Sequence, residues 1–136
     1  MPSTARSRLR PARQTERTPI TVTEPRTFLI AEDEAMIAML LEDFLDLLGH
    51  KIAHMVATVT DGLDAIAKGG FDTAILDVNL AHDKCWPLAD ALRAAGIPYI
   101  FATGGGDTIP PAHTGAPTLG KPYTTTSLEA ALAKLS

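Results

Sequence analysis

Glu32, Asp33 and Asp77 are carboxylates placed where two apolar runs stop, Thr27 to Ala31 and Phe71 to Leu76, and a Lys121-Pro122 pair follows later in the chain. Short unbroken apolar runs read as parallel strands buried on both faces, because helices cover both sides of such a sheet. Phe28-Leu29-Ile30-Ala31 and Thr73-Ala74-Ile75-Leu76 fit that pattern. In open α/β sheets the ligand crevice lies beyond the carboxyl ends of the strands, so acids set directly after two of them converge. Converging anions repel and call for a cation. Mg²⁺ binds through one or two carboxylates plus phosphate oxygens and keeps several of its waters, which suits so small a cluster. The constellation therefore points to Mg²⁺ and phosphate chemistry. Taken singly, each acid reads equally as a strand end or a helix cap, Glu34 above all.

Those side chains need a scaffold in which strand and helix alternate. Between Glu34 and Leu48, residues Ile37, Leu40, Leu41, Phe44 and Leu48 recur at helical spacing, and Gly49 stands where a C-terminal cap belongs. Lys51 to Ala57 reads as a second strand, and Thr60 to Lys68 as a second helix capped by Thr60 and stopped by Gly69-Gly70. After the third strand, Phe71 to Leu76, a helix is predicted over Pro87 to Ala95. It has Leu88, Ala91, Leu92 and Ala95 on one face, proline in its first turn and Gly96 at its end. Tyr99 to Ala102 is a fourth strand and Pro117 to Leu119 a brief fifth. The final helix opens with a capping box from Thr126 to Glu129 and buries Leu128, Leu132 and Leu135. Some five strand-helix repeats predict an α/β fold with a parallel, doubly wound sheet.

Composition bounds the function classes. A chain of 136 residues is one domain by length, large enough for its own core. No apolar run approaches the eighteen or so residues of a membrane span. The single cysteine, Cys85, cannot form an internal disulfide and no apolar signal core opens the chain, so a cytoplasmic location is expected. Free cysteine is commonly buried, and Cys85 reads as a packing residue. Charge is unevenly divided. Residues 1–26 hold six arginines against Glu16 and Glu24, a net of +4, whereas the other 110 hold six basic and fourteen acidic residues, a net of −8. With Pro2, Pro11, Pro19 and Pro25 and few large apolar groups, residues 1–26 read as a disordered leader that precedes a domain over 27–136. The acidic remainder argues against nucleic acid as the main partner. The four histidines lack a zinc-ligand spacing, and no Walker loop, dinucleotide fingerprint or nucleophile elbow occurs.

From Phe28 to Leu135 the chain resembles the receiver domains of bacterial two-component response regulators. The resemblance is carried by FLIAEDE at 28–34, AILDVNL at 74–80, FAT at 101–103 and GKPY at 120–123. It implies a flavodoxin-like five-stranded sheet of order 2-1-3-4-5. It also implies that Asp77 is the phospho-acceptor, that Glu32 and Asp33 hold Mg²⁺ together with Asp77 and the backbone carbonyl of Asn79, and that Thr103 follows the phosphoryl group while Lys121 pairs with it. The donor would be a sensor histidine kinase or a relay phosphohistidine, with phosphotransfer and autodephosphorylation catalysed by the receiver itself rather than by an enzyme in the usual sense. A cis Lys121-Pro122 bond is likewise implied.

The physical logic agrees with that resemblance: a carboxylate accepts a phosphoryl group if the group is held in line and its charge neutralised. Two features depart from the common receiver pattern. Thr118 stands three residues before Lys121, where many receivers carry an aromatic switch. Gly104-Gly105-Gly106, with Pro110, Pro111, Gly115 and Pro117, fills the place of a fourth helix. Interior glycine costs about 1 kcal/mol and proline about 3, so that helix is predicted to be short or disordered and the face mobile. The stretch WPLADALRAAGIPYIFATGGG at 86–106 is similar to the stand-alone FAT GUY receivers, a group associated with stress signalling and atypical kinases. Because the chain ends one helix after Lys121, no DNA-binding output is expected, and signal would pass by protein contact. Two rivals stay open: a pseudo-receiver that binds partners unphosphorylated, and a small Mg²⁺-dependent phosphohydrolase with Asp77 as nucleophile.

Overall fold

The computed structural model describes residues 24–135. Of the predicted leader, residues 1–23 lie outside the described residues. Arg26 is tied to the fold: its amide donates to His50 Nδ1 and its Nη1 to Thr73 Oγ1, each at 2.9 Å.

Along the chain run β1 (Thr27–Ala31), α1 (Ala35–Leu47), β2 (Lys51–Val56), α2 (Val59–Lys68), β3 (Thr73–Asp77), a small antiparallel hairpin of β4 (Asn79–Leu80) and β5 (Asp83–Lys84), α3 (Trp86–Ala95), β6 (Tyr99–Thr103), β7 (Thr118–Gly120) and α4 (Thr125–Ala133). Five strands form one parallel sheet in the order β2-β1-β3-β6-β7, which is the predicted 2-1-3-4-5 order of a doubly wound sheet. The inner strands are apolar on both faces because both are covered. Phe28, Ile30, Ile75 and Ile100 point to a layer closed by α1 and α4 with Leu41, Leu45, Leu128 and Leu132. Their neighbours Leu29, Leu76 and Phe101 point to the opposite layer, closed by α2 and α3 with Ala65, Leu88 and Leu92. Edge strand β2 instead alternates exposed and half-buried residues. Leu45, absent from the predicted stripe of α1, is fully buried.

Two helix starts differ from expectation. The cap of α2 is Thr58, not Thr60, and its side chain accepts from the Asp61 amide at 3.1 Å. The capping box of α4 pairs Thr124 with Ser127 rather than Thr126 with Glu129. Ser127 N donates to Thr124 Oγ1 at 2.9 Å and Thr124 N to Ser127 Oγ at 3.0 Å, so a serine hydroxyl plays the part usually given to glutamate. In both places threonines crowd the helix start, and the one with extended backbone becomes the cap.

Where the fourth helix was expected to be short or disordered, residues 104–117 contain a single 3₁₀ turn, Pro111–His113. The segment is nevertheless fastened to the α2/α3 side of the sheet. Ile109 and Ala116 pack on that layer, and His113 is buried against Trp86, Tyr99 and Phe101. His113 Nε2 donates to Asp90 Oδ1 at 2.7 Å, and its Nδ1 lies 2.5 Å from the Tyr99 hydroxyl. One buried histidine thus ties the irregular segment to α3 and β6.

Candidate phosphoryl-acceptor site

Strand register brings the sequence-predicted residues together. Ala31 pairs with Leu76, so Glu32 and Asp33 leave the sheet beside Asp77, the last residue of β3. Asp77 pairs with Ala102, which sets Thr103 one position further along the next strand. The Lys121 amide donates to the Thr103 carbonyl at 3.1 Å and thereby aligns the lysine with the ends of β3 and β6. The Lys121-Pro122 bond is cis, as the resemblance implied.

Asp77 is buried, with Lys121 Nζ donating to its Oδ2 at 3.0 Å and the Asn79 amide to its Oδ1 at 3.3 Å. Glu32 is buried as well; its Oε2 accepts from the Glu34 amide at 3.1 Å and its Oε1 lies 3.4 Å from Lys121 Nζ. Glu34 occupies the N-cap position of α1 without a side-chain cap, so its amide serves the site while its carboxylate does not cap. Asp33 is exposed and faces an open cavity of about 310 Å³ that Asp77, Asn79, Gly104 and Lys121 also line.

Electrostatics follow from this crowding. Burial, reinforced by Asp77 and partly opposed by the Glu34 amide, pushes the Glu32 carboxyl up to about 7. Burial alone would lower the Lys121 ammonium, but its pairing with Asp77 and Glu32 outweighs burial and raises it, so the cation is held. Carboxylate oxygens of Glu32, Asp33 and Asp77 lie within 4.8 Å of one another, and buried Glu32 Oε1 has no hydrogen bond beyond its 3.4 Å ion pair with Lys121. Three converging carboxylates with oxygen ligands only, two of them buried, fit a hard divalent cation such as Mg²⁺.

Thr103 is differently engaged. Its Oγ1 donates to Asp107 Oδ2 at 2.5 Å and accepts from the Gly105 amide at 3.1 Å. Asp107 also accepts from Asn79 Nδ2 at 3.1 Å and stands 3.5 Å from Lys84 Nζ, which donates to Asn79 Oδ1 at 2.6 Å. Sequence reasoning missed Asp107 and Lys84; an acid directly after three glycines at a strand end was the available sign. The other candidates have structural roles. The Cys85 thiol is buried and pushed up to about 12, first by that burial, which makes it inert. His54 Nε2 donates to the Gly69 carbonyl at 2.8 Å.

No protein-family model matches the chain, and no curated protein does. Solved structures do. SdrG from Sphingomonas melonis Fr1 is 44% identical, with a TM-score of 0.76 over 83% of this chain and 98% of SdrG. The BeF3-activated conformation of SdrG from Pseudomonas melonis Fr1 matches at the same identity, with a TM-score of 0.69 over 80% of this chain and 94% of that one. A CheY-like response regulator receiver domain from Methylobacillus flagellatus is 25% identical, with a TM-score of 0.71 over 83% of this chain and 100% of that domain. Sheet order, the acids and lysine gathered at its carboxyl edge, and near-complete coverage of SdrG at this identity agree: the chain belongs to the receiver domains of two-component response regulators.

Proposed function

We propose that this receiver accepts a phosphoryl group on Asp77 from a phosphohistidine, carried by a sensor histidine kinase or a histidine phosphotransfer protein. The observation that carries the reading is the Asp77 carboxylate itself: buried at a strand end, open to a cavity on one side, with the Lys121 ammonium 3.0 Å away. In the transfer, an Asp77 carboxylate oxygen forms a bond to phosphorus as the nitrogen–phosphorus bond to the donor imidazole breaks, and the imidazole nitrogen keeps the electron pair. Lys121 faces the phosphoryl oxygens and offsets their charge without giving up its proton. The Asn79 amide orients the acceptor. Water attack on phosphorus later releases phosphate and restores the carboxylate.

Glu32, Asp33, Asp77 and the Asn79 carbonyl would hold Mg²⁺, which when bound supplies further positive charge to the phosphoryl oxygens. Asp33 suits direct ligation because it faces the cavity, whereas buried Glu32 suits contact through water. Output by protein contact agrees with Met36, Met39 and Leu47, large apolar residues exposed along α1. Among the described residues no helix is long and apolar enough to cross a membrane. A single cysteine, free and buried, is in keeping with a cytoplasmic setting. The pseudo-receiver reading is favoured by one observation, the engagement of Thr103 by Asp107.

Incubation with Mg²⁺ and acetyl phosphate, or with a phosphorylated kinase, tests the reading. One stable label that Asp77→Asn abolishes is expected. No label from either donor would leave the pseudo-receiver, and multiple turnover on small phosphoesters would favour the hydrolase.

A further inference from the structure

We propose that Asp107 is a positioning residue that competes with the phosphoryl group on Asp77 for the one hydroxyl proton of Thr103. The inference rests on the Asp77 reading above and adds to it a partner that the rest of the site does not require.

A threonine hydroxyl has a single proton to donate. Here that proton goes to Asp107 Oδ2, at 2.5 Å, and the hydroxyl oxygen accepts from the Gly105 amide. While this bond stands, Thr103 has nothing to donate to a phosphoryl oxygen. The bond is charge-assisted, and such bonds are about twice as strong as neutral ones. Consistent with this, the Thr103 hydroxyl, ahead of Asn79 and Lys84, draws the Asp107 carboxyl below its ordinary value.

The local backbone is built to make the contact. Asp107 lies only four residues beyond Thr103, and the chain must turn back on itself in between. Gly105 at φ 100° and Gly106 at φ 81° take left-handed backbone that other residues rarely adopt. The glycine run that breaks the fourth helix is therefore what folds Asp107 onto the end of β6. Buried His113 fixes the far end of the segment, so rearrangement at Asp107 can stay local to residues 104–109.

Release of Thr103 does not strand a charge. Asp107 keeps Asn79 Nδ2 at 3.1 Å and the Lys84 ammonium at 3.5 Å, both from the small hairpin. The exchange trades one hydrogen bond for another. Because Asn79 also donates its amide to Asp77, Asp107 senses the acceptor through two residues rather than one.

The test is titration of the Mg²⁺-loaded protein with BeF₃⁻, a phosphoryl mimic, followed by backbone amide spectra that also report folding. Wild type, Asp77→Asn, Asp107→Asn, Thr103→Val and the Thr103→Val/Asp107→Asn pair are compared. Asp107→Asn, a weaker acceptor of the same shape, is expected to take up BeF₃⁻ about tenfold more tightly. In the Thr103→Val background the same substitution is expected to change nothing, since no hydroxyl proton is left to compete for. No gain in Asp107→Asn overturns the proposal. So does a gain that persists without the Thr103 hydroxyl, which would make Asp107 merely a nearby negative charge. A wild type that takes up no BeF₃⁻, or an Asp77→Asn variant that takes it up equally well, overturns the Asp77 reading and this proposal with it.

Discussion

The two sides of the cavity at the sheet edge are built differently. On one side Glu32, Asp77 and Lys121 are held by strand ends, with backbone amides of Glu34 and Asn79 fixing their oxygens. On the other side Thr103 meets Asp107 from a glycine-rich turn whose only deep anchor is His113. Rigid elements hold the charged groups, and a short irregular segment supplies the Thr103–Asp107 contact that the proposed exchange would break. With Asp77 as the proposed acceptor, such a division would keep the acceptor fixed while the surface beside it changes.

The comparison sharpens if each side is removed in turn. Lys121→Ala removes the ammonium that donates to Asp77, and the rate of Asp77 labelling by acetyl phosphate should fall on the order of 10²-fold. A drop of only twofold would mean that Lys121 does not meet the phosphoryl group. On the other side, His113→Ala removes two hydrogen bonds and three aromatic neighbours from a buried position. The urea midpoint should report a loss of about 2–4 kcal/mol, with faster amide exchange in residues 107–117, while labelling of Asp77 survives. Loss of labelling in a variant that still folds would show that the two sides are not separable.

A smaller effect comes from His50, buried under β1, whose Nδ1 accepts the Arg26 amide. Burial, aided by Arg26, holds His50 below its ordinary value of 6.5, so the folded state favours the neutral ring. A depressed histidine contributes stability that is fully present above 6.5 and is lost as pH falls from there through the folded value. The stability difference between wild type and His50→Asn should therefore shrink between about pH 7.5 and 5.5. The opposite trend expected from Glu32 cancels in that difference. A difference independent of pH would contradict the placement of His50. Smallest of all, Ala81 closes the hairpin beside the site at φ 56°, a left-handed conformation, and Ala81→Gly should raise thermal stability by up to about 1 kcal/mol.

How much of this was legible depends on whether a role is set by local pattern or by a turn. The acids at the ends of β1 and β3 could be read because apolar runs mark buried strands, and a strand end fixes where the next side chain goes. The sheet order came with the family pattern and not from spacing alone. The caps were placed at Thr60 and Thr126 rather than at Thr58 and Thr124 because several threonines cluster at each helix start and only backbone conformation selects among them. Asp107 could be noticed as an acid after three glycines, but its partners could not be read, because they depend on left-handed turns at Gly105 and Gly106. His113 was illegible because Tyr99 and Asp90, fourteen and twenty-three residues away, are what make it an anchor.

The central claim is that Asp77 carries the phosphoryl group. Borohydride reduction of the protein after phosphorylation by acetyl phosphate and Mg²⁺, followed by peptide mass mapping, tests it directly, because an acyl phosphate is reduced to an alcohol whereas a free carboxylate is not. The account predicts homoserine at position 77 and at no other acid. Homoserine elsewhere, or an unmodified position 77 in protein that carries phosphate, would contradict it.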